Sequence, residues 1–230
     1  MSIDLEERSK RSAGRWAVDT YVRRDTCIGL GSGSTAYYAI ERAGELCREG
    51  WNLRAVPTSA HTEELCRRFG IALRALGDEP IDVAIDGADE VAPDWSLIKG
   101  GGGALFREKA VAIAARAFVV IVTERKCVDV LGAFGLPVEV VPFSLNYVTR
   151  EIAALGAQVS RRESDGTPLV TDNANALLDC RFGPIRAPGK LDAALRALHG
   201  VVATGLFVGL TSRIMVGHGD GTIEEPPRRP

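Results

Sequence analysis

Residues 26–35 read Thr26-Cys27-Ile28-Gly29-Leu30-Gly31-Ser32-Gly33-Ser34-Thr35. A short apolar run breaks into a glycine and serine turn, and a helical period follows over residues 35–48. The segment therefore reads as strand, tight turn and helix. Working outward, the same order recurs. Residues 53–56 form a strand and 61–69 a helix. Residues 81–85 form a strand that ends at Asp86. A helix spans 104–116, and the valine-rich run 117–122 is a buried strand. A further helix over 5–22 precedes the whole. Strands alternating with helices predict an α/β main domain, a Rossmann-like parallel sheet covered by helices on both faces. Ligands of such sheets bind beyond the carboxyl ends of the strands, where the Gly31 turn and the Asp86 loop both lie.

The pattern changes after Leu136. Strands are expected over 138–141, 158–161, 176–180 and 201–208, with an extended piece at 169–171 and helices over 144–155 and 191–198. This β-α-β-β-α-β order predicts a small α+β domain of the split βαβ, ferredoxin-like type over 135–208. The catalytic α/β domain would comprise 1–134 plus 209–230, with 214–216 returning to the first sheet. The tail over 224–230 holds three prolines and is expected to fray.

Composition narrows the function classes. Apolar residues make up 46% and charged residues 25% of the 230, and the net charge is −2. Nothing in that balance points to nucleic acid or a membrane surface. The five cysteines include no C-x-x-C pair. They read as unpaired thiols in a reducing compartment, so a cytoplasmic protein is expected. His61, His199 and His218 lack metal-ligand spacing and form no visible triad with serine.

Four segments carry chemistry. In Gly29-Leu30-Gly31-Ser32-Gly33-Ser34-Thr35, exposed N–H groups, hydroxyls and a helix N-terminus suit a phosphate. No Gly-Lys-Ser/Thr follows, so it is not a Walker loop, and Pro57-Thr58-Ser59 ends the second strand where a dinucleotide site would need an acid. Asp86-Gly87-Ala88-Asp89-Glu90 places carboxylates at a strand end, able to bond sugar hydroxyls and exchange protons. A magnesium site would need Asp86, Asp89 and Asp94; no other feature supports one, and no metal or cofactor is expected. Lys99-Gly100-Gly101-Gly102-Gly103-Ala104 joins a cation to bare backbone N–H groups that could hold an oxyanion. Glu108, about one helical turn further on, would face the same ligand, and in a cleft poor in water it becomes a usable base. Each segment also has a purely structural reading: a capped βα turn, a polar turn, a flexible loop, and a surface glutamate that matches the helix dipole.

Taken together, Gly-Ser-Gly-Ser-Thr (31–35), Asp-Gly-Ala-Asp-Glu (86–90), Lys-Gly-Gly-Gly (99–102) and Arg-Glu-Lys (107–109) resemble the ribose-5-phosphate isomerase family of the A type. Leu-Pro-Val-Glu-Val (136–140), Val-Thr-Asp-Asn (170–173) and Gly-Leu-Phe (205–207) extend the resemblance over nearly the whole chain. It implies interconversion of ribose 5-phosphate and ribulose 5-phosphate without metal or nucleotide, in the non-oxidative pentose phosphate pathway, by a homo-oligomer that is often a dimer. By motif, Ser32, Gly33, Ser34, Thr35, Asp86, Gly87, Ala88, Asp89, Lys99, Gly100, Gly101, Gly102 and Lys126 would bind the sugar phosphate. Glu108 would accept the proton, and Lys99, Asp86 and Asp89 would assist through an enediolate. Ser32 stands where the family commonly has threonine, which keeps the hydroxyl. Arg11 stands where many members have lysine, and it is left out of the site. Two other functions fit parts of the pattern. A non-catalytic sugar-phosphate sensor would use the same phosphate loop, but would be joined to a DNA-binding helix-turn-helix and would not need Glu108. A coenzyme A transferase on a related fold would use a glutamate as nucleophile.

Overall fold

The computed structural model of the chain describes residues 3–229. Its central sheet runs in the order Ala72–Leu73, Arg54–Pro57, Cys27–Leu30, Val83–Asp86, Phe118–Thr123, Arg213–Gly217, Ile223–Glu224. All neighbours pair in parallel except the last pair, which is antiparallel. The first six strands follow the doubly wound order 3-2-1-4-5-6. Arg213–Gly217 thus returns to the main sheet as expected, in register with Phe118–Thr123.

Burial along the strands explains this layering. Val119 and Ile121 share one apolar cluster with Ile28, Leu30 and Ile85, while Phe118, Val120 and Val122 belong to another. Successive side chains of a strand point to opposite faces, so a run that is apolar at every position must be covered on both. Helices α1 (Ile3–Tyr21), α2 (Ser34–Arg48) and α3 (Ala60–Arg68) supply the first cover through residues such as Ala17, Ile40 and Cys66. On the other face lie α4 (Leu105–Ala114), through Val111 and Ala112, and a three-stranded antiparallel sheet of Leu206–Phe207, Leu97–Ile98 and Glu90–Val91. That small sheet was not expected. Its strands are two residues long, too short to show any periodicity.

A four-stranded antiparallel sheet has the order Val201–Thr204, Leu136–Val140, Ala176–Arg181, Gln158–Arg161. Helices α5 (Leu145–Ala154) and α6 (Pro188–Arg196) connect its strands in the split βαβ manner. Two expectations need correction here. The strand expected over 201–208 is broken at Gly205, where a Cβ would lie 2.7 Å from Pro137 Cδ and collide with the Lys99 carbonyl. The extended piece expected at 169–171 carries only a single bridge, from Val170 to Ala176, and the ladder beside it is a short hairpin of Glu163–Ser164 with Thr167–Pro168.

The chain's tail is also held rather than frayed at its described end. Arg229 N donates to Pro93 O at 2.9 Å, and Arg228 Nε donates to Asp94 O at 2.9 Å. Pro230 lies outside the described residues. Among the described residues no helix is long and apolar enough to cross a membrane.

Gly29 tests the fit of α4 on the sheet. A Cβ there would sit 2.9 Å from Ala84 Cβ and overlap a methyl of Val111. Gly29→Ala should lower stability by about 1–3 kcal/mol, as overpacking does. A falling urea midpoint with unchanged far-UV circular dichroism is the expected readout; an unmoved midpoint would refute the tight packing.

Candidate active site

The doubly wound sheet reverses strand order between Cys27–Leu30 and Val83–Asp86. Two loops diverge there and leave a crevice beyond the strand ends. Asp86 terminates its strand and is buried. Its Oδ1 accepts hydrogen bonds from Ser32 N at 3.1 Å and Gly87 N at 2.7 Å. Only glycine fits at residue 31, because a Cβ there would collide with the Asp86 carboxylate. The two loops are therefore locked together by one carboxylate.

Lys99 enters from Leu97–Ile98 of the small antiparallel sheet, and its backbone N donates to Gly205 O at 2.9 Å. Its ammonium donates to Gly87 O at 2.7 Å and lies 2.9 Å from Asp86 Oδ2 and 3.3 Å from Glu108 Oε2. Glu108 reaches this point from the first turn of α4. All three side chains are buried. Neither Asp86 Oδ2 nor Glu108 Oε2 has a directed hydrogen bond among the described residues, so both oxygens face the ammonium alone.

One cation thus stands against two carboxylates in a dry setting. Burial pushes Glu108 up to about 7, with Lys99 opposing and the Asp86 charge adding to the rise. Burial also raises Asp86, opposed by Lys99 and by the N–H groups of Gly87 and Ser32. Lys99 loses by burial but gains more from Asp86 and Glu108, and its pKa is raised. Asp86 accepts two N–H bonds, whereas the inner oxygen of Glu108 accepts none. The N–H bonds favour the ionised form of Asp86, and Glu108 has no such bonds to offset its burial.

The glycine loop forms the next wall. Gly100 has φ +100°, in the region that favours glycine. Gly101 N donates to Asp89 Oδ2 at 2.7 Å, which pins the loop. Opposite it, α2 starts after Gly33 with no side-chain cap among the described residues. Ser32, Gly33, Ser34, Thr35, Gly87, Ala88, Asp89, Lys99, Gly100, Gly101, Gly102, Glu108 and Lys126 line a single cleft of about 140 Å³. Asp86 lies beneath it. Lys126 arrives on the short 3-10 turn Glu124–Lys126.

Sequence reasoning missed the groups that hold these loops. Ser32 Oγ does not reach out freely: it lies 2.9 Å from Thr58 Oγ1, 2.8 Å from Ser59 Oγ and 3.1 Å from Thr62 Oγ1. The Thr58-Ser59 pair at the end of the second strand, where no acid stands, was the available signal. Arg162, more than fifty residues beyond the cleft motifs in sequence, holds the outer side of the glycine loop and left no signal of its own. Arg11 stacks on Tyr38, 5.4 Å from the ring centre, and does not line the cleft. Asp94 serves Ser96, through N and Oγ at 2.9 Å, rather than joining Asp86 and Asp89. No group of three His, Cys, Asp or Glu side chains among the described residues is placed to hold a metal ion. His218 lies 3.1 Å from Glu124 and 3.3 Å from Glu224, away from the cleft lining.

A Rossmann-ordered sheet, with two glycine-rich loops and a buried lysine between two carboxylates at a cleft beyond its strand ends, defines the class as an α/β enzyme. Comparison with known proteins then specifies the family. The family model for ribose 5-phosphate isomerase A (phosphoriboisomerase A) matches residues 54–221. The chain is 42% identical to a ribose-5-phosphate isomerase A of Bacillus mycoides (strain KBAB4) over 94% of its length and 98% of that protein's. It is 46% identical to that of Desulfatibacillum aliphaticivorans, over 95% of its length and 97% of that protein's. The ribose 5-phosphate isomerase A structure from Methanocaldococcus jannaschii superposes with a TM-score of 0.92 at 34% identity, covering 97% of this chain and 100% of that one. A D-ribose-5-phosphate isomerase structure in complex with phospho-erythronic acid matches with the same score and identity, covering 97% and 99%. The chain belongs to the ribose 5-phosphate isomerase A family.

Glu108 binds its proton more tightly in the folded chain than at its ordinary value of 4.5. Folding stability tied to this group is therefore complete at acid pH and is lost as pH rises from about 4.5 through 7. Glu108→Gln removes that loss. At pH 8 the variant should exceed the parent by roughly 2–3 kcal/mol, and the gap should shrink toward pH 5. Melting curves at the two pH values decide; a gap independent of pH would refute the raised pKa.

Proposed function

We propose that the chain interconverts D-ribose 5-phosphate and D-ribulose 5-phosphate by proton transfer through an enediolate, with Glu108 as the base. Family membership supports the overall reaction. The observation that carries the mechanism is the buried Glu108–Lys99–Asp86 cluster opening on a cleft with N–H donors at both ends. Phospho-erythronic acid, held by one of the related structures, pairs a phosphate with a carboxylic acid. Two anionic ends suit a cleft of this construction.

Ionised Glu108 removes the proton from C2 of the open-chain aldose and returns it to C1. Negative charge develops on the two oxygens of the enediolate, and one proton passes from O2 to O1. Lys99 and the Gly102 N–H meet that charge with donors already in place, each donor worth about 3–4 kcal/mol. The two aspartates divide the remaining work. Asp86 is buried under the cleft and consumed by Lys99, Ser32 and Gly87, so it fixes the lysine. Asp89 lines the cleft with one oxygen on Gly101 and the other unengaged by that bond, so it handles ring opening and the exchange between O1 and O2. The phosphate lies on the uncapped start of α2 with Ser34, Thr35 and Lys126. There it orients the sugar far from the reacting carbons. None of these steps calls on a metal or nucleotide. The same reading makes the protein a cytoplasmic homo-oligomer, a dimer, of the non-oxidative pentose phosphate pathway.

The test is turnover of ribose 5-phosphate to ketopentose in the presence of EDTA. Active protein is the expected result, and a folded sample without turnover sinks the reading. Glu108→Gln should lower kcat by roughly 10²–10⁴-fold with a smaller change in KM. Because the base must be ionised, kcat/KM should rise with pH through about 7 and then level. Near-normal kcat in Glu108→Gln would remove the residue from this role.

A further inference from the structure

Arg162 stands just past the strand Gln158–Arg161, with its backbone pinned on both sides: its N donates to Leu177 O at 2.8 Å and its O accepts from Leu169 N at 2.9 Å. Its guanidinium uses three directions. Nε donates to Asp179 Oδ2 at 2.9 Å, Nη2 pairs with Asp179 Oδ1, and Nη1 donates to Gly100 O at 2.7 Å and Gly101 O at 3.0 Å. The side chain is only 12% exposed.

A trans peptide is planar, and its C=O and N–H point in opposite directions. Gripping the Gly100 carbonyl therefore turns the Gly101 N–H the other way, where it meets Asp89. Gripping the Gly101 carbonyl in the same manner turns the Gly102 N–H away from Arg162, and Gly102 lines the cleft. That N–H has no acceptor among the described residues. A cation on the carbonyl also polarises the peptide and strengthens its N–H as a donor.

We propose that Arg162, held by Asp179, is a positioning residue for the isomerisation: it aims and polarises the Gly102 N–H toward the oxygen that becomes negative in the enediolate. The inference rests on the isomerase reading given above. It is selective in what it affects. The phosphate end depends on α2 and Lys126, which Arg162 does not touch. Lysine cannot replace arginine, because one ammonium does not present a rigid fork to both Asp179 and the two carbonyls.

The experiment compares the parent protein with Arg162→Ala, Arg162→Lys and Asp179→Asn. It measures kcat and KM with ribose 5-phosphate, and inhibition by phospho-erythronic acid and by inorganic phosphate. Arg162→Ala should lose about tenfold or more in kcat, since one oxyanion donor is weakened. Its inhibition constant for phospho-erythronic acid should rise by a similar factor, while that for inorganic phosphate changes by less than about twofold. Arg162→Lys should recover little of this, and Asp179→Asn should show the same pattern in weaker form. Unchanged kcat in Arg162→Ala overturns the proposal, as does inorganic phosphate affinity falling in step with kcat. If Arg162→Ala does not fold, Asp179→Asn decides by the same ratio of inhibition constants. An inactive parent protein refutes the isomerase reading itself; an active parent with wild-type ratios in the variants refutes only the role of Arg162.

Discussion

The structure depends on one ammonium group. A buried lysine is costly unless its charge is met on several sides. Lys99 meets two carboxylates and a carbonyl within 3.3 Å. The surrounding architecture makes that possible. Gly205 brings its carbonyl to the Lys99 backbone, and the next strand, Leu206–Phe207, pairs with Leu97–Ile98. Phe207 then lies 5.5 Å from the Lys99 ammonium and 5.0 Å from that of Lys109. Lys109 donates to Thr204 O at 2.7 Å, and burial pushes it down to about 8. Helix α4 thus delivers Glu108 to the Lys99 ammonium and Lys109 to the Phe207 ring. Breaking the strand at Gly205 lets one segment serve both the four-stranded sheet and the lysine.

The stretch from Asp86 to Glu108 is a single excursion from the central sheet. It leaves at the end of Val83–Asp86, builds two short antiparallel strands, and returns as α4 against the same sheet. Both ends of the excursion point at its middle: Asp86 starts it, Glu108 closes it, and Lys99 lies between them. The Gly31–Thr35 loop joins from the neighbouring strand, at the switch in strand order. Residues more than fifty positions apart, Ser32 and Asp86, come within hydrogen-bond distance as a result.

Much of this was legible in the sequence because the main elements carry strong periodic signals. The strand Phe118–Thr123 is apolar through Val122, and α2 is bounded by a glycine-rich turn, so both lie within two residues of where the pattern puts them. The cleft residues were legible for a different reason: glycine clusters beside charged residues are uncommon where no ligand approaches. What escaped were interactions with no local signature. Leu97–Ile98 and Glu90–Val91 are too short for a period. The Arg161-Arg162 pair looks like ordinary surface charge until folding sets Arg162 against Gly100. Equally, nothing in residues 224–230 announces that Arg229 will bond Pro93, since the partner is supplied by a distant loop.

The glycine-rich loops that line the cleft cannot hold themselves. Glycine loses more backbone freedom on folding than any other residue, so a glycine-built cradle needs support from rigid elements. Each cradle has such support. Thr62 Oγ1 donates to Gly31 O at 2.9 Å from inside α3, and the same helix start carries Ser59 against Ser32. Asp172 Oδ2 then accepts Ala60 N at 2.8 Å, while Arg107 of α4 donates to Asp172 O at 2.9 Å and to Asn173 Oδ1 at 3.0 Å. The turn that presents Asp172 and Asn173 is itself fixed by buried Glu139, whose Oε1 accepts from Thr171 Oγ1 and Asn175 Nδ2 at 2.9 Å each. A carboxylate in the middle of the four-stranded sheet therefore fixes a turn that touches both α3 and α4, one helix behind each side of the cleft. The Val-Thr-Asp-Asn segment (170–173) earns its place by this route. It does not line the cleft, but its turn bonds the starts of both α3 and α4.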